Sequence, residues 1–130
     1  MSEIEEIRRK YESGELDGLK RDLERFLASH RDRIRQFREA QSAPMGADLA
    51  VKFYILKHRT VNPQGDIAEQ LREIEKEKWI RGVNTGRVPD PQDVAVDWAK
   101  RYSAAWRAHR VTTIVYVFER EKEQYLKLLG

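Results

Sequence analysis

Cysteine is absent from the 130-residue chain, which excludes disulfide bonds, a thiolate nucleophile and a cysteine-ligated zinc site. The three histidines, His30, His58 and His109, are too far apart in sequence for the paired-histidine motif of helical zinc enzymes. No apolar run approaches the ~20 residues that cross a membrane, and the charged start MSEIEEIRRK has no apolar signal segment. We therefore expect a cytoplasmic protein with no cofactor, no catalytic activity and no membrane partner.

Glycine and proline are also scarce, with 7 and 4 residues, and charged residues make up 36% of the chain against 40% hydrophobic ones. A high charged fraction beside a modest apolar one suits helices with long solvated faces more than a sheet sandwich. The breaks fall at residues 13–14, 41–48, 60–65 and 82–90, where most of the glycine and proline lies. These observations predict a mostly α-helical fold, a small helical bundle with an N-terminal helical arm.

Residues 16–41 read as one amphipathic helix of about 25 residues. Its apolar positions alternate in steps of three and four, which gives a narrow seam that requires a partner helix. The seam consists of Leu16, Leu19, Leu23, Phe26, Leu27, Ile34 and Phe37. With a break near residue 43, we predict an arm over residues 1–43, a possible dimerisation element, and a helical body over residues 44–130. The seam residues are the candidates for self-association.

Two segments fit either helix or strand. Residues 49–59 are apolar nearly all round and should be buried, and Asp48 before them with a basic tail after them favours a helix. Residues 111–118 are rich in β-branched residues, but their apolar positions keep helical register to the end of the chain. The alternative is an α+β fold in which residues 51–56 and 111–118 form a short two-stranded sheet.

The segment between these two contains two predicted helices joined by a glycine-rich loop. Asp66 and Glu69 have the spacing of a capping box, so the first helix should start there and end at Gly82. Its stripe of Ile67, Leu71, Ile74 and Lys78 or Trp79 is expected to be buried.

Asp90 followed by Pro91 should open the second helix, which is predicted to run at least to Arg107. At 100° per residue, Trp98, Tyr102, Ala105, Trp106 and His109 share one arc of the helix surface. Large aromatic side chains on one arc favour a core helix over an exposed surface on which bases stack.

The predicted function is association: a homodimer, or a small subunit of a larger protein assembly, with no small-molecule ligand. The alternative is a nucleic-acid-binding protein, because the whole net charge of +3 lies in residues 44–130. Such binding would use a basic patch on the body and would weaken steeply with salt. Its candidate residues are Lys52, Lys57, Arg59, Arg101, Arg107 and Arg110.

Overall fold

The computed structural model describes residues 2–130, which form eight α-helices and no strand. The helices are α1 (Glu3–Glu12), α2 (Asp17–Ser29), α3 (Arg31–Glu39), α4 (Ala47–His58), α5 (Pro63–Thr85), α6 (Pro91–Arg101), α7 (Ser103–Arg120) and α8 (Lys122–Lys127). The prediction of a mostly α-helical bundle is confirmed. The two-stranded alternative is wrong, because residues 51–56 lie within α4 and residues 111–118 within α7. In the described part of the chain, no helix is both long and apolar enough to cross a membrane.

The chain divides into two compact units. The first contains the residues up to Asn62 together with His109–Gly130, and the second is Pro63–Ala108. The boundary that the sequence suggested near residue 43 lies in the loop between α3 and α4, inside the first unit. The arm over residues 1–43 is thus part of a larger helical unit, because the α2 and α3 seam packs against helices that follow this loop.

The first unit has a continuous apolar core. Leu23 and Leu27 of α2, Ile55 of α4 and Phe118 of α7 have no exposed surface. Aromatic contacts link the elements: the Phe26 ring lies 5.8 Å from the Tyr54 ring. The core consists of Ile7, Leu16, Leu19, Leu23, Phe26, Leu27, Ile34, Val51, Tyr54, Ile55, Val61, Ile114, Val117, Phe118 and Tyr125. Helices distant in sequence thus share one hydrophobic interior.

The helix predicted over residues 16–41 is interrupted at His30. The φ and ψ angles of this residue, −102° and 10°, depart from helical values, and they separate α2 from α3. The backbone hydrogen bonds nevertheless continue, since the Ile34 N–H donates to the His30 carbonyl at 2.9 Å. The interruption is a local bend, and both halves of the seam face the same core.

The second unit is built around the pair α5 and α6. Arg81 of α5 donates to Asp97 of α6, and the Trp98 indole N–H donates to the Gln70 side chain at 3.3 Å. The α5 helix is longer than predicted at both ends, because it begins at Pro63 and passes through Gly82 to Thr85. It stops before Gly86, whose φ of 67° is left-handed and unfavourable for other residues.

The helix predicted from Pro91 to at least Arg107 is also interrupted, at Tyr102, where α6 ends and α7 begins at Ser103. Of the aromatic arc, Trp98 and Trp106 are half-buried, whereas Tyr102 and Ala105 are exposed. The expectation of inward-facing rings is therefore met only in part by the two tryptophans, and it is wrong at Tyr102. The φ angle of Tyr102, −119°, departs from helical values, so the arc counted at 100° per residue does not continue unchanged from α6 into α7.

Candidate functional site

The residues predicted for self-association lie inside the first unit. Leu16, Leu19, Leu23, Phe26, Leu27 and Ile34 are buried, and Phe37 is half-buried against the same core. Phe37 contacts Tyr54 of α4, with ring centroids 5.7 Å apart. The partner that the seam requires is therefore supplied by helices of the same chain. Any association of the folded protein has to use other surfaces.

The six basic residues proposed for nucleic-acid binding are distributed over both units. Lys52, Lys57, Arg59 and Arg110 belong to the first, and Arg101 and Arg107 to the second. Lys52 forms an ion pair with Glu119, and Arg101 with Asp97 at 2.8 Å. A carboxylate beside a cation reduces the positive field that a phosphate would meet. Nucleic-acid binding stays a prediction.

Helix α4 has apolar side chains on both of its faces, and only one face is covered. Val51, Tyr54 and Ile55 enter the core of the first unit. Leu49, Phe53 and Leu56 point outward and are 43–47% exposed. The expectation that residues 49–59 are buried all round is therefore wrong for these three, because helices pack against one side of α4 and leave the other uncovered.

The uncovered side of α4 continues onto two neighbouring helices. Ile4 of α1 and Val111, Val115 and Tyr116 of α7 line the same groove. The Lys52–Glu119 ion pair joins α4 to α7 beside it. We refer to Ile4, Leu49, Phe53, Leu56 and Val115 as the α4 surface. An apolar groove of this kind, bordered by a charged pair, resembles the centre and rim of a protein–protein interface.

A second apolar surface lies on α5, where the sequence predicted a buried stripe. Leu71 is 56% exposed, Trp79 is 70% exposed and Ile67 is also exposed, whereas Ile74 and Lys78 are half-buried. The reason is the side from which α6 approaches. Contacts to α6 come from Gln70 and Arg81, which at 100° per residue lie on the opposite side of α5 from Trp79.

Six residues of α5 form a shallow groove on this exposed side. Leu71, Glu75 and Trp79 make one row at four-residue spacing, and Arg72, Lys76 and Ile80 make the adjacent row. Residues four apart lie above one another on a helix, so the two rows are parallel ridges. We refer to these six residues as the α5 surface. Three members are apolar and three are charged.

The clearest cluster of titratable side chains is in the first unit and joins α2 to α4. The His30 Nδ1 lies 2.7 Å from the Tyr54 hydroxyl, and the His58 Nδ1 donates to the Tyr54 carbonyl at 3.1 Å. The His30 ring stacks on Phe26 at 4.2 Å. Burial, followed by the charges of Arg33 and His58, lowers the pKa of His30 below its ordinary value of 6.5. These contacts connect helices of the core.

Within residues 2–130, no group of three His, Asp or Glu side chains is placed to hold a metal ion. Comparisons with protein-family models, with curated proteins and with solved structures found no match to the chain. The α4 surface and the α5 surface are therefore the features of this structure from which a function can be inferred.

Both apolar stripes are recognisable in the sequence, but their exposure was missed. The α4 segment offered one usable signal, because a helix that is apolar on every side must be covered by something, and a 130-residue chain has few helices to do it. The α5 stripe offered another signal. Glu75 lies between Leu71 and Trp79 on the helix surface, and a carboxylate beside a stripe is unfavourable in a dry core.

Proposed function

We propose that this protein is a cytoplasmic, non-catalytic helical interaction protein that associates with itself or serves as a small subunit of a larger assembly. The observation that supports the proposal is the exposure of large apolar side chains in two continuous surfaces. On the α4 surface Phe53 is flanked by Leu49 and Leu56, and on the α5 surface Trp79 is flanked by Ile80. Grouped apolar side chains of this size are typical of interaction sites, whereas isolated ones are common on any protein.

The residue types also support association. Aromatic residues are enriched at the energetic centres of interfaces, and each surface contains one: Phe53 on α4 and Trp79 on α5. Both are presented by helices, which hold their side chains in fixed relative positions. Charged residues surround them: Lys52 and Glu119 near Phe53, and Arg72 and Lys76 near Trp79. This arrangement provides an apolar centre with a polar rim.

Size-exclusion chromatography with light scattering tests the self-associating form of the proposal. The chain mass is 15.4 kDa, and we expect a larger, concentration-dependent mass at about 100 µM, a loading that reveals the micromolar dissociation constants of modest interfaces. A Phe53→Lys, Trp79→Lys double variant should return the mass to that of the monomer, because both apolar centres are removed. A wild-type mass that stays at 15.4 kDa over this range would contradict self-association.

A further inference from the structure

A cavity in the first unit lies between α3, α4 and residues 126–130, and three arginines line it. These are Arg31, Arg35 and Arg38 of α3. At 100° per residue the three positions fall within about 60° of one another, beside the buried Ile34. Three guanidinium groups therefore share one flank of α3. The cavity volume is about 220 Å³, below the roughly 300–1,000 Å³ of pockets for drug-sized ligands, so its ligand has to be small.

The other side chains around this cavity, which we call the α3 cavity, carry no charge. None of the lining side chains is acidic, and Asp48, which is next to the lining, forms an ion pair with Lys122 at 3.8 Å. Apolar side chains favour a ligand that carries an apolar group, because contact removes that group from water. The remaining lining residues are Ile34, Ala47, Ala50, Leu126, Leu129 and Gly130.

Two of the three guanidinium groups have no acidic partner. Arg35 forms an ion pair with Asp32 at 3.2 Å. The Arg38 Nε donates to the Met45 carbonyl at 2.8 Å, a contact that orients the guanidinium group without neutralising it. Within residues 2–130, neither Arg31 nor Arg38 forms an ion pair. The lining thus has two uncompensated positive charges beside an apolar wall.

We propose that the α3 cavity binds a phosphate monoester with a small apolar group, the phosphate on Arg31 and Arg38 and the apolar group against Leu126 and Leu129. A phosphate monoester has close to two negative charges at neutral pH, which match the two uncompensated guanidinium groups. Guanidinium groups bind phosphate oxygens through paired hydrogen bonds.

This ligand goes beyond the proposed function and does not depend on it. It also departs from the expectation, drawn from the sequence, that the protein has no small-molecule ligand. The residues of α3, α4 and the segment 126–130 are brought together only in the folded chain, so no local motif indicates the site.

Titration with phenyl phosphate, followed by proton–nitrogen correlation NMR, tests the proposal. We expect saturable shifts of amide signals in α3 and in residues 126–130, with a dissociation constant of about 0.1–1 mM, as suits so small a ligand. Phenol lacks the charge and inorganic phosphate lacks the apolar group, so each should bind about tenfold more weakly or less. Benzoate, with one negative charge, should also bind more weakly. Benzoate binding as tight as that of phenyl phosphate would contradict the assignment of a phosphate.

Arginine variants on the two flanks of α3 show whether the cavity is the site. Arg31→Gln and Arg38→Gln should each raise the dissociation constant of phenyl phosphate by about fivefold or more, because a charge-assisted contact is lost. Arg33→Gln is the matched control. Arg33 is an exposed arginine of the same helix, but it lies about 140° or more from the other three and does not line the cavity. This variant should bind like the wild type.

Ala47→Leu tests the cavity itself, because the larger side chain occupies part of its volume. We expect this variant to lose phenyl phosphate binding while circular dichroism shows unchanged helix content. Wild-type affinity in a folded Ala47→Leu protein, or an equal loss of affinity in Arg31→Gln and Arg33→Gln, would overturn the proposal. So would the absence of saturable shifts up to about 10 mM phenyl phosphate, ten times the weakest dissociation constant expected. None of these outcomes bears on self-association, which is measured without ligand.

Discussion

His30 is a residue in which burial and protonation are coupled. It lies between α2 and α3, stacked on Phe26 and close to the Tyr54 hydroxyl. Its pKa is lowered in the folded protein, mainly by burial, so the unfolded chain takes up a proton at a higher pH than the folded one. The neutral ring therefore stabilises the fold fully above about pH 6.5, and this contribution is lost as the pH falls through and below that value.

We predict that part of the acid sensitivity of the fold depends on this ring. The free energy of unfolding, measured by urea denaturation, should fall between pH 7.5 and pH 5.5, and the decrease should be smaller in His30→Gln. His109→Gln is the matched substitution outside this cluster, at a half-buried ring that lies 3.0 Å from Glu3. An equal decrease in wild type and His30→Gln would show that His30 does not contribute.

Arg59 has an unfavourable backbone conformation. It follows the last residue of α4 with a left-handed φ of 64°, while its N–H donates to the Ile55 carbonyl at 2.7 Å. Glycine adopts this conformation without the steric cost that a side chain incurs.

We expect Arg59→Gly to stabilise the protein by about 0.5–1 kcal/mol, the steric gain less the entropy of a more flexible unfolded chain. Lys57→Gly, two residues earlier inside the helix, should destabilise by about 1 kcal/mol. Thermal or urea unfolding of both variants measures the contrast. A loss of stability in Arg59→Gly would contradict the left-handed cap.

At the scale of the elements, the sequence predicts that a segment is helical more readily than it predicts where a helix begins, ends or is interrupted. Residues 49–59 and 111–118 keep helical register over long segments, and both lie almost wholly in helices. The bends at His30 and Tyr102 have no glycine or proline to mark them, and backbone hydrogen bonds continue past both residues. The apolar spacing on either side of these interruptions stays helical, so periodicity within one segment does not reveal them.

At the end of α5, we predict that alanine substitutions at two glycines change the stability of the protein in opposite directions. Gly82 lies inside the helix, and an added Cβ would be 3.4 Å from the Arg87 carbonyl oxygen, an ordinary contact. Gly86 follows the helix with a left-handed φ of 67°. We expect Gly82→Ala to stabilise by about 0.5–1 kcal/mol through helix propensity and Gly86→Ala to destabilise by about 1 kcal/mol through backbone strain.

Urea denaturation of the two alanine variants checks this prediction, and far-ultraviolet circular dichroism should show no loss of helix in Gly82→Ala. If the helix ended at Gly82, as the sequence pattern indicated, the order would be reversed: Gly82→Ala would destabilise and Gly86→Ala would have little effect.

At the scale of the whole molecule, the sequence pattern does not predict which apolar stripe is buried and which is exposed. The α2 and α3 seam and the α5 stripe look alike as patterns, since both repeat at helical spacing. The structure buries Leu23 completely and leaves Leu71 more than half exposed. Periodicity places side chains on one face of a helix, but which faces are covered depends on how the chain folds back on itself.

The α5 part of the proposed function depends on the α5 stripe being exposed to solvent while the α2 and α3 seam is buried. Because the chain has no cysteine, two single-cysteine variants, Leu23→Cys and Leu71→Cys, report on this directly. With a thiol reagent at low protein concentration, Leu71→Cys should react nearly as fast as an unfolded thiol. Leu23→Cys should react on the order of 100-fold more slowly, because reagent reaches it only when the core opens. Equal rates, or a protected Leu71→Cys in the monomer, would contradict this arrangement of the two stripes.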